Sequence, residues 1–133
     1  MRKILKALLI GSALVAVPAI AGERQTPEAQ LAKVLDGRVA GTPVDCISLT
    51  GTQSSEIIDG KAIVYRVGSR LYVNEPRSGA DMLDSDDILV TRTFGSQLCS
   101  IDTVHLIDRG GNFPRGFVQL GKFVPYTRPR AAN

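Results

Sequence analysis

The sequence predicts a mainly β domain, a small antiparallel barrel or sandwich of six or seven strands, with one short helix near its N-terminus. Three observations carry this. From Val44 onward short β-type runs recur, and two of them, Ile88 to Thr93 and Ile101 to Ile107, are rich in Val, Ile, Thr and Leu without Gly or Pro inside. Turn residues such as Asp59-Gly60 and Gly68-Ser69-Arg70 divide them at regular intervals. Helical periodicity is confined to the stretch Thr26 to Gly37. Nothing in the pattern chooses between a barrel and a sandwich.

The first residues have the form of an export signal. Arg2, Lys3 and Lys6 make a positive start, the 11 residues Ala7 to Val17 are apolar or small, and Ala19-Ile20-Ala21 supplies small residues for cleavage after Ala21. The uncharged run contains Pro18 and is shorter than the roughly 20 residues that span a bilayer, so residues 1–21 are expected to be removed rather than kept as an anchor. A lipid anchor needs a cysteine just after the cleavage point, and the first cysteine is Cys46. The expectation is a soluble exported protein, with residues 22–126 forming a single β-rich domain and 127–133 a flexible tail.

In the mature chain, Thr26 stands where a helix cap would, Pro27 at the first helical position, Glu28 in the first turn, and Gly37 where the helix would stop. Leu31, Val34 and Leu35 form one apolar stripe by which this helix would lie on the domain. Val44 to Leu49 reads as the first strand, Thr50 to Ser55 as a polar loop, and Glu56 to Ile58 as a short strand turning at Asp59-Gly60. Lys61 to Val67 and Leu71 to Asn74 read as a hairpin. With Gly68-Ser69-Arg70 as its connection, Ile63, Tyr65, Val67, Leu71 and Val73 would share the buried face, leaving Arg66, Tyr72 and Asn74 on a wet one.

Pro76 to Asp87 is irregular and acidic. Ile88 to Thr93 and Ile101 to Ile107 then read as the core hairpin, joined through Gly95-Ser96-Gln97. Arg109 to Gly116 is a broad turn, Phe117 to Val124 a last strand or two short ones split by Gly121, and Pro125 to Asn133, with two prolines, lacks the pattern of regular structure.

Composition excludes several functions. The net charge of +3 includes the three basic residues of the signal; without them thirteen bases face thirteen acids, which removes the electrostatic case for nucleic-acid binding. One histidine and two cysteines are too few for a zinc site. The run Asp81 to Asp87 is rich in oxygens but has neither the glycine nor the distal glutamate of an EF-hand loop, so its aspartates read as turn caps. No cofactor is implied.

A hydrolase constellation could be drawn only from Ser96, Asp102 and His105, yet Phe94-Gly95-Ser96-Gln97-Leu98 lacks the second glycine of a nucleophile elbow, and His105 alternates with the inward Val104 and Leu106. Charge is unevenly placed. Glu75 to Asp108 holds seven acids and two bases, whereas Arg109 to Asn133 holds five bases and no acid. Mutual pairing of the two segments is the simple consequence; contact of Arg128 and Arg130 with an anionic envelope surface is the functional one.

Two cysteines 53 positions apart in an exported chain, not in a C-x-x-C pair, favour a structural disulfide between Cys46 and Cys99 over two buried thiols. Closing such a loop is worth about 4 kcal/mol on chain entropy.

Pro43-Val44-Asp45-Cys46-Ile47, Ile88-Leu89-Val90-Thr91, Ser96-Gln97-Leu98-Cys99, and the later Gly-Phe-Val and Phe-Val-Pro-Tyr segments resemble an uncharacterised family of small exported proteobacterial proteins, of sphingomonads especially. The resemblance implies a periplasmic location and the Cys46 to Cys99 bridge, and brings no catalytic residue with it. The resulting expectation is a non-enzymatic binding or structural module that meets an envelope protein or anionic surface through an exposed sheet face or edge. The alternative is a small hydrolase-like enzyme centred on Asp102 and His105. A thiol-reactive dye should label neither cysteine in the denatured, unreduced mature protein; stoichiometric labelling would remove the bridge.

Overall fold

A computed structural model describes residues 11–19 and 22–130, and the expected cleavage point after Ala21, the charged signal start with Arg2, Lys3 and Lys6, and residues 131–133 lie outside the described residues. Residues 11–19 have no regular structure, and among the described residues no helix is long and apolar enough to cross a membrane. The fold is mainly β, with its sheets stacked in the manner of a sandwich and no closed barrel among the described residues.

Helix α1 (Pro27–Val34) forms where its signals place it. The Ala29 N–H donates to Thr26 Oγ1 at 3.2 Å, satisfying one of the helix's unpaired first-turn donors. Leu31, Val34 and Leu35 pack onto a five-stranded antiparallel sheet.

That sheet runs in the order β1 (Val39–Ala40), β10 (Phe123–Thr127), β5 (Arg70–Asn74), β4 (Ala62–Val67), β3 (Thr52–Ile58). A two-stranded sheet pairs β2 (Cys46–Ser48) with β7 (Gln97–Cys99), and a three-stranded sheet has the order β6 (Asp87–Thr91), β8 (Thr103–Asp108), β9 (Pro114–Gln119). Ten strands thus stand among the described residues where six or seven were expected. The additions are the two- and three-residue strands β1 and β7, too short to show a period, and the division at Gly121.

The large sheet is covered on both faces. Ile63, Tyr65 and Phe123 pack against Val104, Leu106 and Val118 of the three-stranded sheet and Ile47 and Leu98 of the two-stranded one. On the opposite face Ile58, Ala62, Val64, Leu71 and Val73 lie under the helix. This corrects the expected face assignment. Only Gly68 and Ser69 connect β4 to β5, Gly68 supplying the left-handed φ of +61°, so Val67 pairs with Arg70 and Val64 with Val73. A connection one residue shorter than the one read from sequence moves Leu71 and Val73 to the other face.

It also buries Asn74, which is 0% exposed rather than wet. Its amide copies a backbone pairing: Asn74 Nδ2 donates to the Gly121 carbonyl at 2.7 Å, and the Gly121 N–H donates to Asn74 Oδ1 at 2.9 Å. A Cβ at Gly121 would lie 2.5 Å from the Glu75 carbonyl oxygen, so this approach needs glycine. Tyr65 stands edge-on to Phe123, with ring centroids 5.8 Å apart, and burial pushes its phenol well above the ordinary tyrosine range.

Two further readings change. Thr52 to Ser55 belongs to β3, with a bulge between Thr52 and Ser54, instead of a loop. Pro125, Tyr126 and Thr127, expected to be irregular, lie in β10. Pro125 is tolerated because its carbonyl accepts from the Gly41 N–H at 2.7 Å: a strand residue's two polar groups point the same way, so the missing donor faces the side where β1 has already ended.

Asn74→Ala should cost about 2–4 kcal/mol, since it leaves both the Gly121 N–H and its carbonyl buried without partners. Melting should fall by about 10 °C or more; a change of a degree or two would show that the Asn74 to Gly121 contact is dispensable.

Candidate functional site

The disulfide lies between strands. Cys46 and Cys99 are cross-strand partners on β2 and β7, with S–S 2.08 Å and Cα atoms 4.0 Å apart. The Ser100 N–H donates to the Asp45 carbonyl at 2.7 Å and the Leu49 N–H to the Ser96 carbonyl at 2.8 Å. Counting by two from those bonds makes Cys46 and Cys99 a non-hydrogen-bonded pair, the kind that brings Cα atoms closest. The Cys99 N–H therefore points away from β2, and it donates to Asp102 Oδ2 at 2.7 Å while the Asp102 N–H returns a bond to the Cys99 carbonyl at 2.9 Å. Arg77 fastens this turn to the end of β9, its Nη2 on the Ser100 carbonyl and its Nε on the Leu120 carbonyl.

Asp102 is thus a turn cap beside the disulfide. His105 stands exposed on the outer face of the three-stranded sheet, opposite Val90 and Phe117 in register and 6.2 Å from the Phe117 ring centroid. Ser96 and Asp102 share a shallow surface depression with Phe94 and Ile101, and His105 is not part of its lining. The three residues are not drawn into one site. The expected core hairpin is also modified: Ile88 pairs with Ile107 and Thr91 with Val104, but the segment between them leaves the sheet so that β7 can join β2.

The two charged segments meet at one buried point, where Arg115 binds Asp87. Lys122 instead lies 3.7 Å from Asp45. Arg128 sits by Gly37 and, with Arg66, faces Arg38. Desolvation first, and then these two neighbouring cations, lower the Arg38 pKa; its guanidinium is held by the Ser69 and Tyr126 carbonyls. Arg130 is exposed.

A larger concavity than this depression lies elsewhere, a groove of about 690 Å³ between β3 and β6. Each of these strands is the last member of its sheet. Ile57 and Leu89 supply apolar surface, and Gln30, Ser55, Glu56, Asp59, Ser85 and Arg109 supply polar groups. Beside it the Gly60 N–H donates to the Leu83 carbonyl and the Ser85 N–H to Asp59 Oδ1 at 2.6 Å, which ties the turn after β3 to the segment before β6. Gln53 to Glu56 are exposed on both faces of β3. Asp87 also lines the groove, is 3% exposed, and has one carboxylate oxygen without a hydrogen-bond partner among the described residues.

No known family, curated protein or solved structure matches this chain.

Sequence reasoning missed this groove because the strand that supplies its Ser55 and Glu56 has, from Thr52 to Glu56, the composition of a loop. The signal that could have found it is Asp87, an acid directly before the apolar run Ile88-Leu89-Val90 and so drawn toward the core with it. Asp102→Ala should destabilise the protein by about 1 kcal/mol through the loss of the Cys99 acceptor. His105→Ala should stay within about 0.5 kcal/mol of the parent in chemical denaturation; equal, large losses from both would tie the two residues together.

Proposed function

We propose that this protein is an exported, periplasmic binding module that holds an extended segment of an envelope protein in the groove between β3 and β6. The observation that carries this reading is that two unpaired strand edges open onto one groove. Unpaired edges present rows of backbone donors and acceptors, and an extended polypeptide completes them by adding a strand. The volume is within the range of ligand clefts, about 300–1,000 Å³. Non-enzymatic work fits the separate placement of Ser96, Asp102 and His105. Export and membership of the sphingomonad-type family rest on the N-terminal signal pattern, on the segments quoted above, and on the disulfide, which suits an oxidising compartment.

A second contact, with an anionic envelope surface, is favoured by the gathering of Arg38, Arg66 and Arg128 near the β4–β5 turn, where Arg38 bonds the Ser69 carbonyl, with Arg130 two residues beyond Arg128. Such an attraction weakens as salt is added.

Selection of random peptides displayed on phage against the mature protein should yield extended binders. Bound peptide should slow hydrogen exchange in residues 52–58 and 87–91, and methylation of alternate peptide nitrogens should abolish binding while leaving side chains intact. Binding that survives methylation, or protection confined to other strands, would overturn the reading.

A further inference from the structure

Asp87 opens β6 and points inward with Leu89, opposite Asp108 in register. A buried acid beside a second acid in register favours a cation nearby. Arg115 supplies it because the register shifts between Leu106 and Ile107, which makes Arg115 the extra residue on β9. From there its Nη1 reaches Asp87 Oδ2. The hydrogen bond to Asp87 holds the Arg115 pKa above the ordinary arginine value against some desolvation, with the charges of Asp87, Asp84 and Asp108 adding to it.

The pairing is one-sided. An ionised carboxylate accepts through both oxygens, and Asp87 Oδ1 is buried without a partner. The neighbouring acids are engaged by backbone: Asp108 accepts from the Gly111 N–H, Asp84 from the Asp86 N–H, and Asp59 from the Ser85 N–H. Among the described residues no three carboxylate, imidazole or thiol groups converge to hold a metal ion. Asp87 lines the groove together with Glu56, Asp59 and Arg109, and its one free buried oxygen suits an N–H donor carrying positive charge. A second copy of this chain is a poor occupant, since β3 or β6 of another molecule would bring Glu56 or Asp87 toward like charge.

We propose that the groove recognises a basic side chain of the extended segment, a lysine or arginine whose ammonium or guanidinium donates to Asp87 Oδ1 while Glu56 and Asp59 flank its approach. This assignment rests on the edge-groove reading and adds the chemistry of the segment that fits it.

The peptides selected on the mature protein provide the test. Lysine or arginine should recur at one position. Replacing it with norleucine, which keeps the aliphatic stem, should weaken binding by at least about tenfold in titration calorimetry. Asp87→Asn, which keeps an oxygen for Arg115, should weaken the basic peptide to a similar extent and abolish its advantage over the norleucine peptide. Because that change touches a buried pair, melting of D87N is measured alongside. Glu56→Lys, on an exposed position, should lower affinity for the basic peptide more than for the norleucine one. If norleucine costs nothing while backbone methylation still abolishes binding, the basic-side-chain assignment is wrong and the edge groove stands. If no peptide is enriched, or methylation is harmless, both are overturned.

Discussion

The structure depends on a strand that must be buried on both faces. Ala62, Ile63, Val64 and Tyr65 of β4 are all within 5% of full burial, although successive side chains point to opposite sides of the sheet. One cover cannot serve them. The helix takes Ala62 and Val64, and the two smaller sheets take Ile63 and Tyr65. Each fully buried Val or Ile is worth about 1.5–3 kcal/mol, so either cover removed would forfeit several kcal/mol from a domain whose total stability is about 5–15. The short elements answer to this demand: β2 and β7 are three residues each, and between them Ile47 and Leu98 reach the core. So short a pair cannot hold itself, which gives the disulfide and the Asp102 cap their structural purpose.

Much of this was legible because local chemistry set it. Thr26, Pro27 and Glu28 specify a helix start by satisfying or removing donors that no helix can pair internally, and the structure places the helix there. Asp59-Gly60 likewise turned a chain that nothing distant needed to instruct. The failures share a cause as well. Side-chain period in a strand is two, so the single residue by which the Gly68-Ser69 connection differs from the expected one reversed Leu71, Val73 and Asn74 together. Composition could not warn of it, because alternation of Leu71, Tyr72, Val73 and Asn74 is compatible with either register.

The groove was illegible for a different reason. An edge strand with both faces in water has no apolar period, and Gln53-Ser54-Ser55-Glu56 is held in β3 by its backbone pairing with β4 rather than by side chains. Asp87 was read with the other acids of its loop as a turn cap, and Asp84 is indeed one, bonding the Asp86 N–H. The difference between the two carboxylates arises only when the three-stranded sheet forms and carries the first residue of β6 inward. The uneven charge along the chain did carry a trace of the site, for the ion pair of the buried Asp87 with Arg115 joins the acidic segment to the basic one.

These properties bear on why an open edge persists. Exposed edges invite indiscriminate pairing, and proteins restrain them with bulges and charge. Here β3 has a bulge at Thr52 to Ser54 and Glu56 in its middle, while β6 begins at a buried acid. An uncharged or acidic strand entering the groove gains backbone bonds but meets carboxylates, and leaves the free oxygen of Asp87 unsatisfied. A basic side chain at the right register removes both penalties. On the proposed reading, the carboxylates that disfavour pairing with a second copy also set the condition under which the edge would accept a partner, so edge protection and selectivity would follow from one arrangement of charge.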